Sequence, residues 1–440
     1  MDFLTSKKKS VLYSILSLLW LVSPGVFAAP NIIDATTHAV HGQSLAINGI
    51  DFGNKEMADP VMWDDGEDSA VGVNSAVIEK GWAQALPSAA GEPYDITYRA
   101  TPYRNMPAPH NYSTKYLAGG HKFNEGCQDA ANRGSNVVVT VNFGSDSDYA
   151  YATWYERVDD AWPDNDPNSA WDNYKFGALS STGTDYFDPH YYINDVNNQA
   201  PQFKYAKTGI LGWPYPSCSV GGGVECVCST PWENNPSNFN EAMKGTGVYG
   251  NWIRREAIFY NVTSEQEGYW RYYVNNHLVW GPSELESATP SDDRCAFWTN
   301  TICGQYDCTA NPDYARPSGF SVGGYWRDST CLTSRALGNN DAFRYFDDVY
   351  IDNSISRVML ADAANYEEAT IIEPQIPSSW SDGSITVTGN LGKFSASGIA
   401  FLFVFDAENN HNTVGYPVTI GDTSTPDTTA PASPAGLTVR

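Results

Sequence analysis

An aromatic residue, a cation and a carboxylate alternate along one short segment of the chain. Trp252, Arg254 and Glu256 are spaced two residues apart, so a β-strand would place all three on one face. A tryptophan ring stacks on the CH face of a sugar, while arginine and glutamate fix hydroxyl groups through charge-assisted hydrogen bonds. The pattern indicates a glycan-binding face. It also fits an Arg–Glu ion pair beside a tryptophan that packs in the structure.

Further aromatic residues extend the glycan-binding hypothesis. Tyr273 and His277 follow in the next predicted hairpin, and Tyr325 and Trp326 form a second aromatic segment. Exposed aromatic clusters of this kind bind ligands, whereas buried ones belong to the core. Tyr273 and His277 are also the candidate proton acceptors of a polysaccharide lyase, which is one enzymatic alternative. No residue is assigned as catalytic.

Acidic residues give two further candidates for chemistry. Asp347, Asp348 and Asp352 lie in one segment, and we expect Asp348 and Asp352 to share a face where they bind a metal or cap a strand. The segment has no glutamate, so it does not match the pattern of a retaining glycoside hydrolase. The run at 164–168 begins like a Ca²⁺ loop but departs from the EF-hand pattern at Ser169 and Lys175. Ca²⁺ is therefore left open as a cofactor, and no metal ligand is assigned.

Composition excludes several classes of protein. Aromatic residues make up 13% of the 440 residues, charged residues 18%, and the formal net charge is −25. Such a chain is globular rather than disordered. Its charge repels nucleic acid and anionic membranes but is compatible with neutral glycans and with bound Ca²⁺. We therefore expect a polysaccharide or surface glycan as partner, and no nucleic acid.

The amino terminus has the three parts of a secretory signal peptide. Lys7 to Lys9 form a basic region, residues 11–22 an apolar core, and Val26 to Ala28 a small-residue cleavage site. The apolar run is too short for a confident membrane span, and no other segment of the sequence comes close to one. Residues 1–28 are therefore predicted to be removed near Ala28, leaving a secreted or cell-surface protein.

Eight cysteines follow this signal segment. An even number in an exported chain favours disulfide bonds, although the sequence does not determine how they pair. Zinc is disfavoured because paired CxxC spacing is absent. The disulfide candidates are Cys127, Cys218, Cys226, Cys228, Cys295, Cys303, Cys308 and Cys331.

Short alternating runs bounded by turn residues predict an all-β fold. The runs at 136–142, 149–155 and 399–405 are typical strands. The segment from Tyr269 to Trp280 predicts a hairpin, because its Asn275-Asn276 pair adopts positive φ angles readily.

The central part of the chain, 58–352, resembles the concanavalin A-like lectin/laminin G superfamily. The segment from Asn251 to Phe259 and the following hairpin look like its central strands, Trp63 to Glu67 like its opening strand and Phe346 to Asp352 like its closing one. The resemblance implies a jelly-roll sandwich whose first and last strands are neighbours. Adjacent ends would allow this sandwich to be inserted in a host domain.

Residues His41 to Gly53 and Ser379 to Thr388 resemble the opening and later strands of an IPT/TIG (immunoglobulin-like) repeat. We expect 30–57 and 353–421 to form one split domain, with 30–57 pairing with strands after 352. The rival arrangement is a sandwich that such a domain merely flanks. Residues 422–433 form a Thr/Pro linker, and 434–440 resemble the first strand of a fibronectin type III domain, so further such domains are expected partners in a longer chain.

These observations favour a carbohydrate-binding module for adhesion or polysaccharide targeting, without catalysis of its own. The first alternative is a polysaccharide lyase or glycoside hydrolase with an atypical active site on the concave face. The second is a structural extracellular protein. The fold alone does not decide among them, since a sandwich hosts all three roles.

Overall fold

The computed structural model describes residues 28–86, 94–122, 134–145, 147–158, 172–175, 177–181, 185–187, 190–193, 203–204, 206–207, 227–228, 251–260, 269–280, 317–327 and 341–421. Strands dominate these residues, with one short helix, α1 (Asn74–Glu79), and a 3-10 turn at Tyr366–Glu368. In the described residues no helix is both long and apolar enough to cross a membrane. The prediction of an all-β fold is confirmed.

The strands, in chain order, are β1 (Asn31–Ala35), β2 (His38–Ala39), β3 (Ser44–Ile50), β4 (Met62–Asp64), β5 (Gln84–Leu86), β6 (Thr97–Ala100), β7 (Lys115–Lys122), β8 (Gly134–Asn142), β9 (Tyr149–Val158), β10 (Asp172–Lys175), β11 (Gly177–Ser181), β12 (Asp185–Phe187), β13 (His190–Ile193), β14 (Phe203–Lys204), β15 (Ala206–Lys207), β16 (Val227–Cys228), β17 (Ile253–Tyr260), β18 (Tyr269–Val274), β19 (His277–Trp280), β20 (Pro317–Arg327), β21 (Asp341–Asp352), β22 (Arg357–Ala361), β23 (Ile372–Ser381), β24 (Ser384–Thr388), β25 (Gly398–Phe405) and β26 (Tyr416–Ile420).

The central unit comprises the strands from β4 to β21, and two large sheets dominate it beside a separate two-stranded sheet of β14 and β16. Sheet I has the order β19-β18-β17-β9-β21-β7-β6, with β4 also paired to β21. Sheet II contains β5, β8 and β20, and β20 continues to β10 and β11. The sheets pack face to face: the Trp154 ring of β9 lies 5.9 Å from that of Phe320 of β20. This packing of two sheets makes the central unit a β-sandwich.

Strand β17 follows the alternation that its sequence predicts. Residues 253–259 are all buried, and the two faces differ in their partners: Ile253, Arg255, Ala257 and Phe259 form the inner face, while Glu256 contacts Tyr151 and Arg357 on the outer one. Arg255 breaks the apolar pattern of this inner face, and its guanidinium pairs with the carboxylate of Glu156. The opposite, outer face of β17 carries the candidate glycan-binding residues.

Two local predictions for the central unit are confirmed. Asn275 and Asn276 have φ angles of 46° and 67° and join β18 to β19 in a tight hairpin. Strand β4 pairs with β21, with Asp64 opposite Val349. The first and last strands of the sandwich are therefore neighbours.

Eight strands from the two ends of the chain form a second, terminal unit. Their order is β1-β3-β24-β23-β22-β25-β26-β2, and β3 pairs with β24 so that Ile47 lies opposite Ile385. This is the pairing expected for the two end segments. Strands from both ends of the chain supply the apolar core of this unit, which includes Leu45, Ile47, Leu360, Ile385, Leu402 and Val418.

The terminal unit lies against the outer face of sheet I. Tyr155 of β9 donates a hydrogen bond to Glu373 of β23 at 2.7 Å, and the ammonium of Lys55 pairs with Asp352 at 2.6 Å. The Arg357 guanidinium lies 4.5 Å from the centre of the Tyr151 ring. The face that carries the candidate residues is therefore partly covered by the protein itself.

Several predicted segments lie outside the described residues. They are residues 1–27 of the signal peptide, the run at 164–168, the linker at 422–433, the segment at 434–440, and seven of the cysteines: Cys127, Cys218, Cys226, Cys295, Cys303, Cys308 and Cys331. Cys228 lies in β16, whose backbone pairs with β14. The signal peptide and the disulfide bonds stay predictions.

Candidate functional site

The candidate residues of β17 face the terminal unit. Trp252 is partly exposed, whereas Arg254 and Glu256 are each only 4% exposed. Arg357 of the terminal unit approaches Glu256 to 3.8 Å. In this arrangement Arg254 and Glu256 offer no surface to a polysaccharide, and their contacts are those of the Arg–Glu ion pair that the sequence left as the alternative.

Arg254, Glu256 and Arg357 form a buried group, named here the arginine cluster. Nη1 of Arg254 donates to Glu256 and to the side-chain oxygen of Asn276, both at 2.8 Å. The Tyr151 hydroxyl donates to the other Glu256 oxygen at 3.0 Å. Glu256 is therefore surrounded by donors.

These neighbours determine the ionisation of Glu256. Burial alone would raise the pKa of its carboxyl group, but Arg254 and Arg357 outweigh that effect and lower the pKa. The pKa of Arg254 is raised, because Glu256 outweighs the effect of burial. Both groups stay charged, so the cluster stabilises its own charges.

A second buried group lies across β9, on β21 and the strands facing it. It comprises His110, Asp347, Asp348 and Glu373, and is named here the acidic cluster. A β-bulge between Asp347 and Tyr350 adds one residue to β21, and Asp348 has a φ of 46°. Bulges re-aim side chains. The bulge shifts the alternation by one residue, so Asp347 lies opposite Tyr155 and Asp352 opposite Tyr151 on the outer face. Asp348 lies on the same face, where it contacts Asn390, but Asp352 pairs with Lys55 and does not join the cluster.

Each member of the acidic cluster has a defined hydrogen-bond partner. Nε2 of His110 lies 2.9 Å from Oδ2 of Asp348, and the Ser113 hydroxyl donates to Oδ2 of Asp347 at 2.5 Å. The Asn390 amide donates to Asp348 at 3.5 Å. The cluster therefore joins the 110–113 segment and β21 of the central unit to the terminal unit.

Glu373 is held by one of its two oxygens. Oε1 accepts from the Tyr155 hydroxyl at 2.7 Å and from the backbone N–H of Lys393 at 2.8 Å. Oε2 is buried and has no hydrogen-bond partner among the described residues. The Lys393 ammonium lies over the Tyr155 ring, 4.4 Å from its centre.

Burial dominates the ionisation of the acidic cluster. It raises the pKa of Asp347 well above its ordinary value, and the charge of Asp348 raises it further. The pKa of Glu373 is raised for the same two reasons. Burial lowers the pKa of Lys393, whereas Asp348 outweighs burial at His110 and raises the pKa of its imidazole.

The donor set of the acidic cluster suits a metal ion. Ligand atoms of His110, Asp347 and Asp348 all lie within 4.8 Å of one another, and no other such group of three occurs in the part of the chain that the structure describes. Imidazole nitrogen and carboxylate oxygen are ligands of divalent transition metals. The residues present therefore fit a metal ion.

An aromatic patch that includes Trp252 lies on the outer face of sheet I, apart from the arginine cluster. The patch comprises Trp252, Tyr116, Tyr345 and Tyr103, and the Trp252 ring lies 5.5 Å from that of Tyr116. Trp252 and Tyr103 are partly exposed, while Tyr116 and Tyr345 are buried beneath them. The Trp252 indole N–H donates to the Pro107 carbonyl at 2.8 Å, which fixes the ring orientation.

The turn that carries Tyr103 presents polar groups beside this patch. Arg104 and Asn105 have φ angles of 52° and 64° and are exposed. The Arg104 guanidinium lies 4.0 Å from the centre of the Phe343 ring. Aromatic rings and hydrogen-bond donors therefore occur together at this part of the surface.

The remaining predicted site residues lie apart from both clusters. Tyr273 is partly buried and packs against the apolar group of Tyr151, Ile258 and Tyr350. The backbone of His277 pairs with Val274 in the hairpin. Tyr325 and Trp326 lie on β20, with their backbones opposite Asn136 and Ser135 of sheet II, so they are on a different sheet from Trp252.

The sequence indicates only two of the four members of the acidic cluster. Asp347 and Asp348 were singled out as acidic residues, but His110, Glu373 and Lys393 were not. His110 lies in a segment without a strand pattern, and Glu373 lies on β23, where its role depends on contact with Tyr155. The one available signal was the pair of adjacent aspartates near the end of a predicted strand.

Comparisons with known proteins leave the family open. No family model matches the chain, and no curated protein matches it. Among solved structures it is similar to an endo-β-1,4-glucuronan lyase from the fungus Trichoderma reesei, with 14% identity and a TM-score of 0.36 over 67% of this chain and 95% of that one. It is also similar to the receptor-binding domain of botulinum neurotoxin type G, with 9% identity and a TM-score of 0.24 over 76% of each chain. At such identities and TM-scores, these similarities assign no activity to this chain.

Proposed function

We propose that this protein is a secreted or cell-surface glycan-binding β-sandwich without catalysis of its own. The single observation that carries this proposal is the aromatic patch, where two partly exposed rings, Trp252 and Tyr103, lie beside the exposed Arg104. Rings of this kind stack on sugar faces, and a guanidinium donates several hydrogen bonds to hydroxyl or carboxylate oxygens. The proposed surface excludes Arg254 and Glu256 because both are buried.

The patch is supported from beneath, which suits a binding surface. Buried Tyr116 and Tyr345 pack edge to face, with ring centres 5.5 Å apart, and Trp252 packs against both. The Arg99 guanidinium lies 4.8 Å from the centre of the Tyr103 ring. Rings held in this way lose little conformational entropy when a ligand binds.

The architecture proposed with this function is a lectin-like sandwich inserted in an IPT/TIG-like host. The pairing of β3 with β24 and of β4 with β21 supports it, because each unit then has adjacent ends. Export by the amino-terminal signal and further fibronectin type III domains complete the proposal. In this arrangement the terminal unit would serve as the scaffold on which the central unit displays its aromatic patch to a glycan.

A glycan screen with a parallel reducing-end assay tests this function. The purified chain is titrated with neutral and acidic polysaccharides, and each mixture is assayed for new reducing ends. We expect binding without products. Products would contradict the absence of catalysis, and a broad panel without any binding would favour a structural role.

Matched tryptophan variants test the location of the site. Trp252→Ala is expected to weaken binding at least about tenfold, which corresponds to about 1.4 kcal/mol. Trp380→Ala is the control, because Trp380 is also partly buried and its indole N–H also donates to a loop carbonyl, that of Gly53 at 3.2 Å. Arg104→Gln provides a variant on an exposed side chain that leaves the core intact. Parent-like affinity in both Trp252→Ala and Arg104→Gln would place the glycan elsewhere.

A further inference from the structure

We propose that His110, Asp347 and Asp348 bind one divalent metal ion where the central unit meets the terminal unit. The imidazole Nε2 of His110 and the two carboxylates supply the ligand atoms. This proposal is independent of glycan binding and concerns a different part of the outer face of sheet I.

The geometry of the three side chains matches a metal site. Their ligand atoms lie within 4.8 Å of one another, and Nε2 of His110 is 2.9 Å from Oδ2 of Asp348. Ligands about 2.0–2.2 Å from a metal ion are themselves about 3 to 3.5 Å apart. A small movement of these side chains would therefore accommodate the ion.

The backbone of β21 is shaped to bring the two aspartates together. Consecutive residues of a regular strand point to opposite faces, but the bulge interrupts the register here. Asp348 adopts a φ of 46°, a left-handed conformation that aspartate tolerates better than most residues other than glycine.

Glu373 provides an independent indication that a cation is required. Its side chain is fully buried, and its Oε2 atom has no partner among the described residues. Its other oxygen accepts from Tyr155, whose ring centre lies 6.2 Å from that of His110, so the carboxyl group lies beside the cluster. A buried carboxylate oxygen without a partner is costly, and a metal ion beside Asp348 would offset that cost.

The donor set selects among divalent ions. Ca²⁺ and Mg²⁺ prefer ligand sets made only of oxygen, whereas imidazole together with carboxylate suits Zn²⁺ and Mn²⁺. We therefore assign the site to a transition-metal ion of this class. Glu373 and Asn390 of the terminal unit border the site, so the ion would lie at the contact between the two units while its three ligands belong to the central unit.

Metal titration of the full chain tests the site. After treatment with a chelator and its removal, Zn²⁺ binding is measured by calorimetry and Mn²⁺ binding by electron paramagnetic resonance. We expect one equivalent of either ion, a higher melting temperature with Zn²⁺, and at least tenfold weaker binding of Ca²⁺. Equal or tighter binding of Ca²⁺ would overturn the histidine ligand, and no binding at millimolar metal would overturn the site.

Variants locate the bound ion. Asp347→Asn and His110→Gln are each expected to weaken Zn²⁺ binding at least about tenfold. His411→Gln is the matched control, because His411 lies 3.6 Å from a Glu367 carboxylate and belongs to no group of three ligands among the residues that the structure describes. If Asp347→Asn does not fold, the test relies on His110→Gln, in which we expect the nitrogen signal of the Mn²⁺ spectrum to be lost. Parent-like affinity in His110→Gln, or a loss confined to His411→Gln, would contradict the proposal.

Discussion

The arginine cluster and the acidic cluster lie on either side of strand β9, and β9 supplies each with one tyrosine. Tyr151 donates to Glu256 at 3.0 Å and Tyr155 donates to Glu373 at 2.7 Å. The pKa values of the two glutamates are nevertheless shifted in opposite directions: that of Glu256 is lowered and that of Glu373 is raised.

Neighbouring charges explain this difference. Both glutamates are buried, which raises the pKa of a carboxyl group. Arg254 and Arg357 reverse that effect at Glu256, whereas Asp348 adds to it at Glu373. In the arginine cluster two guanidinium groups surround one carboxylate and keep it ionised, and the group acts as a structural joint. The other cluster has an excess of carboxylates, and this is the feature that makes it a candidate for binding.

The largest expected change in the free energy of unfolding comes from the arginine cluster. Glu256→Gln leaves Arg254 and Arg357 buried without their carboxylate, and breaking a buried ion pair in this way costs about 3–5 kcal/mol. Urea unfolding monitored by tryptophan fluorescence measures it. Glu79→Gln, on an exposed residue of α1, is the control and should change stability by less than about 0.5 kcal/mol. A small loss in Glu256→Gln would mean that the ion pairs of Glu256 with Arg254 and Arg357 contribute little to stability.

The two tyrosines of β9 provide a matched pair with a smaller effect. Tyr151→Phe removes a hydrogen bond to an ionised carboxylate and should cost about 1.5–3 kcal/mol, whereas Tyr155→Phe removes one to a carboxyl of raised pKa and should cost about 1 kcal/mol. The same urea experiment gives both values. The reverse order would show that Glu373, and not Glu256, is the more strongly ionised group.

The smallest expected effect is a change in the acid limb of the pH–stability curve. Because the folded-state pKa of Glu256 lies below its ordinary value of 4.5, its contribution is complete above that value and is lost as the pH falls through the lowered pKa. Glu256→Gln should therefore show a shallower acid limb than the parent. Unfolding experiments between about pH 3 and 6 cover the range in which this loss begins. Acid limbs of equal slope in the parent and in Glu256→Gln would contradict the lowered pKa.

Sequence reasoning reached the elements more readily than the site. The Asn275-Asn276 turn, the pairing of β4 with β21 and the two faces of β17 follow from turn chemistry and alternation, which are local properties. The pairing of β3 with β24 across the whole central unit was expected from an IPT/TIG-like resemblance of both segments, which stays a prediction, and the structure shows the pairing itself. These predictions needed no knowledge of how the units pack on each other.

The site depended on that packing and was therefore harder to predict. Trp252, Arg254 and Glu256 do lie on one face, but the terminal unit covers part of this face. Arg254 and Glu256 are therefore buried in the contact between the two units. The bulge at Asp348 and the approach of Glu373 to Tyr155 are likewise tertiary features. No period or motif in the sequence carries them.

Thermal unfolding with Zn²⁺ and with a chelator tests the contrast between the two clusters most directly. The parent, Glu256→Gln and Asp347→Asn are compared at one neutral pH. We expect Zn²⁺ to stabilise the parent and Glu256→Gln by a similar increment, although Glu256→Gln starts from a lower melting temperature, and to leave Asp347→Asn unchanged. A Zn²⁺ increment that persists in Asp347→Asn, or one that disappears in Glu256→Gln, would contradict this division between a joint held by arginines and a cation site.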